Sequence, residues 1–298
     1  MELKKSSRKQ LKLRIGISGA SGFGKTKSAL LLAHGITEDW SKIAVIDSEQ
    51  SSSSCYSDLG EFNVVELNAP YSPERFIQAI ELCEKSGMEV CIIDSISMEW
   101  SGTGGCLEIH EKLGGRFQDW AVVTPRHQAF IDKILNSTCH IITTARRKTD
   151  YSLDVGSNGK TKVVKHGMKE ITREGYEYEL TVNFELINDK NLCKVSKDRS
   201  GLWMNRPEFI ITQETGKELL RWANSGIPTP KNTLSSEDLE IEELSAKISQ
   251  ADSIATLLAL YKQYPEHQEV LKSKYEEQKR KLLNKPNPNT FSKNGHHV

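Results

Sequence analysis

Residues 19–26 read Gly-Ala-Ser-Gly-Phe-Gly-Lys-Thr and directly follow the apolar run Ile15-Gly16-Ile17-Ser18. No other stretch constrains the fold as tightly. The spacing G-x-x-x-x-G-K-[ST], after a strand and before a helix, is that of a phosphate-binding loop. Gly19, Gly22 and Gly24 let successive backbone N–H groups turn inward as an anion nest. Lys25 is expected to reach the β- and γ-phosphates, and the Thr26 hydroxyl to ligate Mg²⁺. Residues 28–36 read as a helix whose positive end faces the same phosphates. The expected nucleotide-binding residues are therefore Gly19, Ala20, Ser21, Gly22, Phe23, Gly24, Lys25, Thr26 and Lys27, with ATP and Mg²⁺ as the ligands.

Further β-branched runs alternate with helical patterns. Strands are expected at 14–18, 43–47, 63–67, 90–94 and 139–144, and helices at 25–36, 73–86 and 125–136. Nearly continuous apolar strands with helices between them predict a mainly parallel, doubly wound α/β sheet, covered on both faces. Ligands of such sheets bind at the carboxyl ends of the strands, where Gly19, Asp47, Asp94 and Thr144 fall.

From about residue 145 the character changes. Residues 146–173 carry eight basic side chains against three acidic ones. Alternating patterns at 176–187 and 191–198 then predict two antiparallel strands that extend the sheet. The breaker-rich stretch 224–238 reads as a linker, and short amphipathic helices follow, with Ser253 as an N-cap. The expected organisation is a basic tail (1–11), a core (12–226), a linker (227–237), a small helical appendage (238–284) and a disordered tail (285–298).

A phosphate loop needs an acidic partner, and Val90-Cys91-Ile92-Ile93-Asp94 supplies a Walker B strand whose Asp94 would hold Mg²⁺ together with Thr26. Hydrolysis also needs a group to orient water. Glu49, two residues past Asp47 at the end of the strand that follows the phosphate-loop helix, is in position to be that base.

The order phosphate loop, then Ile-Asp-Ser-Glu, then Ile-Ile-Asp-Ser resembles the RecA/RadA/KaiC class of ATPases. More specifically, 120–151, 167–186 and 196–203 (SKDRSGLW) resemble phage-encoded RecA-like ATPases of the Sak single-strand-annealing type, over residues 12–226 as a whole. That resemblance implies a catalytic role for Glu49 and a phosphate-contacting role for Lys25. It also implies that Lys197 and Arg199 act on a neighbouring subunit's γ-phosphate, in a homo-oligomer. RecA carries a sensing glutamine where this chain has Thr144, so Thr144 and Arg146 are the sensor candidates. The basic loop 147–173 lies where RecA-like proteins contact DNA. Arg147, Lys148, Tyr151, Lys160, Lys162 and Lys165 are its candidate contacts to single-stranded DNA. A single-strand-binding protein is the further partner implied, with a bacterial host and a phage or prophage origin.

Bulk properties narrow the alternatives. Lys plus Arg and Asp plus Glu each number 40, so net charge is zero and any nucleic-acid signal is local. No run approaches the roughly 20 apolar residues of a membrane helix, and the basic N-terminus lacks the apolar segment of a signal peptide. Six cysteines without a C-x-x-C pair disfavour disulfides and a zinc site, and the expected location is cytoplasmic. His110, His127 and His140 are expected to pack or cap. Two other functions stay open: an annealing module in which ATP is only a switch, and a small-molecule kinase. The kinase is disfavoured for want of an Arg-rich lid helix.

Overall fold

Ile43–Asp47 (β2) and Val90–Asp94 (β4) are buried at every position. Strands this apolar need cover on both faces and pair in parallel. The computed structural model describes residues 10–155, 161–188, 190–226 and 236–283, with the side chains of 150–155, 161–167, 236–240, 242 and 243 excepted. The expectations for the tail before residue 10, for most of the linker, for the C-terminal tail and for Tyr151, Lys160, Lys162 and Lys165 as DNA contacts lie outside the described residues.

The strand order is β3 (Asn63–Glu66), β2, β4, β5 (His140–Val155), β1 (Arg14–Gly19), β7 (Val182–Leu186), β8 (Leu192–Asp198) and β9 (Phe209–Ile210), and β6 (Thr161–Glu170) pairs with β5. Pairing is parallel from β3 through β7 and antiparallel at β8 and β9. The mainly parallel α/β sheet extended by antiparallel strands is thus the observed fold.

Alternate residues of each strand face opposite layers. Ile43, Val45, Ile92 and Ile142 join α1 (Lys25–Thr37) and α6 (Gln213–Asn224) in one core. Ala44, Ile46, Cys91, Ile93 and Ile141 join α2 (Pro73–Lys85) and α5 (Trp120–Asn136) in the other. A fully buried Phe76 or Phe130 contributes about 1.5–3 kcal/mol through removal from water. Buried Arg14 ties the layers at the start of β1. Its guanidinium donates to the carbonyls of Leu13, Leu135, Ser137 and Cys139, the last three at and just beyond the end of α5.

Three of the expected elements take another form, and α6 and β9 (Phe209–Ile210) were not expected at all. Helix α5 begins at Trp120, not 125, because Pro125 sits in its second turn and removes only one backbone bond. Residues 176–179 form a 3₁₀ turn instead of strand. Gly175, at φ 93, reverses the chain there, and the buried Tyr176 hydroxyl donates to Thr143. The basic segment expected as a loop is largely a hairpin: β5 runs on beyond the sheet and pairs with β6 from Arg147–Glu170 out to Val155–Thr161.

The chain divides into two compact units, Met1–Thr229 and Pro230–Val298. In the second, α7 (Ser236–Gln250), α8 (Ile254–Gln263) and α9 (Lys272–Leu283) enclose Leu244, Ile248, Leu257, Leu271 and Tyr275. Ser253 caps α8 by accepting from the Thr256 backbone N–H at 3.1 Å. Among the described residues, no helix is long and apolar enough to cross a membrane.

Candidate nucleotide-binding site

The loop between β1 and α1 has the geometry that its glycines allow. Gly22 and Gly24 sit at φ 81 and φ 83, in the left-handed region that a side chain rarely adopts. A Cβ on Gly24 would also lie 2.5 Å from Asn191 Oδ1. Helix α1 starts at Lys25 with no side-chain cap and no acid in its first turn. Its positive end is therefore left for an external anion. Lys25 Nζ folds back onto the Ala20 carbonyl at 3.0 Å, and burial lowers its pKa, partly offset by the charges of Glu49 and Asp94. Ser21, Gly22 and Lys27 are exposed, while Ala20, Phe23, Gly24, Lys25 and Thr26 are half-buried.

One strand, β5, separates the loop-bearing β1 from β4, yet the two meet chemically. Thr26 Oγ1 donates to Asp94 Oδ2 at 2.7 Å, and Thr144 Oγ1 donates to Asp94 Oδ1. Burial raises the Asp94 pKa, against the pull of those two hydroxyls. No cation pairs with this carboxylate among the described residues. The set suits Mg²⁺: a hydroxyl and a buried carboxylate short of positive charge, beside an uncapped helix end. Thr144 thus serves Asp94 directly.

Glu49 is placed by a network that the sequence reading missed. Asp47 accepts from the backbone N–H groups of Glu49 and Ser53, at 2.8 Å each, fixing the turn after β2. The Ser48 N–H donates to the Asp94 carbonyl, and the Ser95 N–H to Ser48 Oγ, which couples the ends of β2 and β4. Serines that follow strand-terminal aspartates were the available signal. Glu49 itself accepts from Arg146 Nε at 2.7 Å. Burial alone would lift the Glu49 carboxyl, but Arg146 and then Lys25 hold it below the usual carboxylate range.

Lys197 and Arg199 lie elsewhere. Lys197 is level with Asn183 and through it with Gly16, and the Arg199 N–H donates to the Thr181 carbonyl. Arg199 thus lies level with the start of β1 and Lys197 with its middle, both short of the strand end that carries the phosphate loop. They bond to carbonyls of the 3₁₀ turn, Lys197 to Glu177 and Tyr178 and Arg199 to Tyr178.

Beside the hairpin is a groove of about 680 Å³ lined by Trp100, Phe117, Trp120, Lys148, Lys169 and Arg173, among others. Phe117 is 91% exposed. Trp120 stacks between His110 at 4.1 Å and Trp100 at 5.7 Å. Lys148 is exposed, Lys169 pairs with Glu174, and Arg147 is turned into an ion pair with half-buried Glu185. The aromatic residues of this groove went unnoticed in sequence. The pair Gly114-Gly115 just before Phe117 was the clue to an exposed ring.

These features agree with a match to a known family. The sequence matches the family described as AAA domain over residues 11–215, more than half of its length. The chain belongs to that family. It is a P-loop NTPase-type protein, and the AAA domain spans the phosphate loop, Glu49, Asp94, Thr144 and the hairpin. No curated protein matches this sequence.

Proposed function

We propose that this AAA-domain protein is an ATPase that assembles on single-stranded DNA, is stimulated by it, and promotes annealing or recombination. One observation supports the reading: β5, His140–Val155, is a single strand that runs from beside the phosphate loop into the basic hairpin. Thr144 on that strand holds Asp94, Arg146 holds Glu49, and Lys148 faces the groove beside the hairpin. A ligand that grips the hairpin therefore acts on the strand that positions both carboxylates.

The chemistry follows from the residues. Gly22, Gly24 and the N-terminus of α1 would receive the phosphates, with Lys25 turning from Ala20 toward them. Thr26 and Asp94 would hold Mg²⁺, which when bound neutralises charge on the phosphates. Glu49, ionised at neutral pH, would align a water and accept its proton once Arg146 lets it go. Lys197 and Arg199 lie on and just after β8, two strands from β1, and are turned to carbonyls of the 3₁₀ turn and not to the phosphate loop of their own chain. Their position supports a role across a subunit boundary in a homo-oligomer. Phe117 and the tryptophan stack would take bases, and Lys148 and Arg173 phosphates. The phage setting and a single-strand-binding partner rest on the resemblance alone.

A second reading has its own observation. The Glu49–Arg146 pair would keep hydrolysis negligible if it persisted with ATP bound, which would leave ATP as an assembly switch. The variants separate the two. Lys25→Ala should abolish nucleotide binding, whereas Glu49→Gln should bind ATP normally and lose turnover by about 10²–10⁴-fold. Turnover unchanged in Glu49→Gln would remove the proposed base.

A further inference from the structure

Away from the nucleotide pocket, three successive helices bring three metal-binding residue types together. Glu99 lies on α3 (Ile96–Ser101), Cys106 opens α4 (Cys106–Lys112) and His127 is on α5. Their relative exposures are 0%, 0% and 3%. Cys106 Sγ lies 3.0 Å from Glu99 Oε1, and His127 Nδ1 lies 3.0 and 3.1 Å from the two carboxylate oxygens. One ligand atom from each residue falls within 4.8 Å of the others.

Local structure forces this convergence. A Cβ on Gly105 would lie 2.6 Å from the Glu99 carbonyl, so glycine lets α4 start directly against α3. Trp100 and Phe130 close on His127 edge-on, with ring centroids at 5.4 and 6.5 Å. A buried carboxylate is ordinarily met by Arg or Lys or by a metal. Here its partners are an imidazole and a thiol, and the nearby Arg126 is engaged by Glu74.

We propose that Glu99, Cys106 and His127 bind one Zn²⁺ ion, which joins α3, α4 and α5. Thiolate, imidazole and carboxylate together select zinc over magnesium or calcium, which prefer oxygen alone. Tetrahedral zinc at about 2.0–2.3 Å from each donor sets donors about 3.3–3.6 Å apart. Each of the two contacts to the Glu99 carboxylate, now 3.0 Å, would therefore open by only about half an ångström on binding. The Cys106 proton leaves to solvent, and a water completes the coordination. The staple would close the segment between Glu99 and His127, which carries Phe117 and Trp120. It is independent of the nucleotide reading.

The test is metal content of the full chain, purified without chelators or a metal-binding tag, followed by replacement with Co²⁺. The expected result is one zinc per chain and, with Co²⁺, a near-ultraviolet thiolate-to-metal band. Cys106→Ser should lose that band and most of the zinc while keeping its far-ultraviolet circular dichroism, and Lys25→Ala should keep both metal signals. Wild-type protein that holds zinc only at background and shows no Co²⁺ band overturns the proposal, whether or not the variant folds. A band that survives Cys106→Ser overturns it equally.

Discussion

His140 shows how burial becomes pH dependence. Its Nδ1 accepts the Leu13 N–H at 3.1 Å, and burial, with Lys12 and Arg14 nearby, lowers its pKa to about 3. The unfolded chain takes up a proton below about pH 6.5 that the fold refuses until about 3. Stability therefore falls as pH drops through that window, by about 1.4 kcal/mol per unit from this residue. Urea titrations at several pH values between 6.5 and 5 should show His140→Gln with a slope shallower by one proton. Equal slopes would mean that His140 takes up its proton in the fold over the same pH range as in the unfolded chain. At this scale the placing of Lys25 and Thr26 in one loop follows from contiguous spacing, and that of Asp94 from the apolar strand it ends. The Thr144 contact to Asp94 was not readable in advance, since it joins positions 50 residues apart and depends on which strands are neighbours.

Among the elements, strands whose positions are all buried were legible, because only a sheet covered on both faces tolerates them. The β5–β6 hairpin was not. Its Lys-rich, glycine-containing sequence has little apolar alternation, and pairing with a neighbouring strand gives it an order that its composition does not announce. The same limit hid the Glu99–Cys106–His127 cluster, whose members are assembled by three helices and show no local ligand spacing. A prediction belongs to the groove beside the hairpin. In single-stranded DNA titrations, Phe117→Ala should weaken binding about tenfold at every salt concentration, as loss of one stacked base implies. Lys148→Ala should weaken it and also reduce the salt slope by about one unit. Unchanged affinity in both would move DNA off this face.

For the whole molecule, the role proposed for Lys197 and Arg199 would make assembly part of catalysis. On this account Lys25→Ala would keep the basic pair but lack nucleotide binding, and Arg199→Ala would have the reverse defect. Each should be inactive alone, and mixing the two should restore measurable ATP hydrolysis. Failure of the mixture, with both variants shown to assemble, would place the basic pair outside catalysis. The central claim, that DNA at the hairpin drives hydrolysis through β5, is tested most directly by the ATPase rate of the intact protein. It should be measured with and without single-stranded DNA, at low and at high salt. The account predicts strong stimulation at low salt that fades as salt rises. A rate indifferent to DNA at both salt concentrations would contradict it.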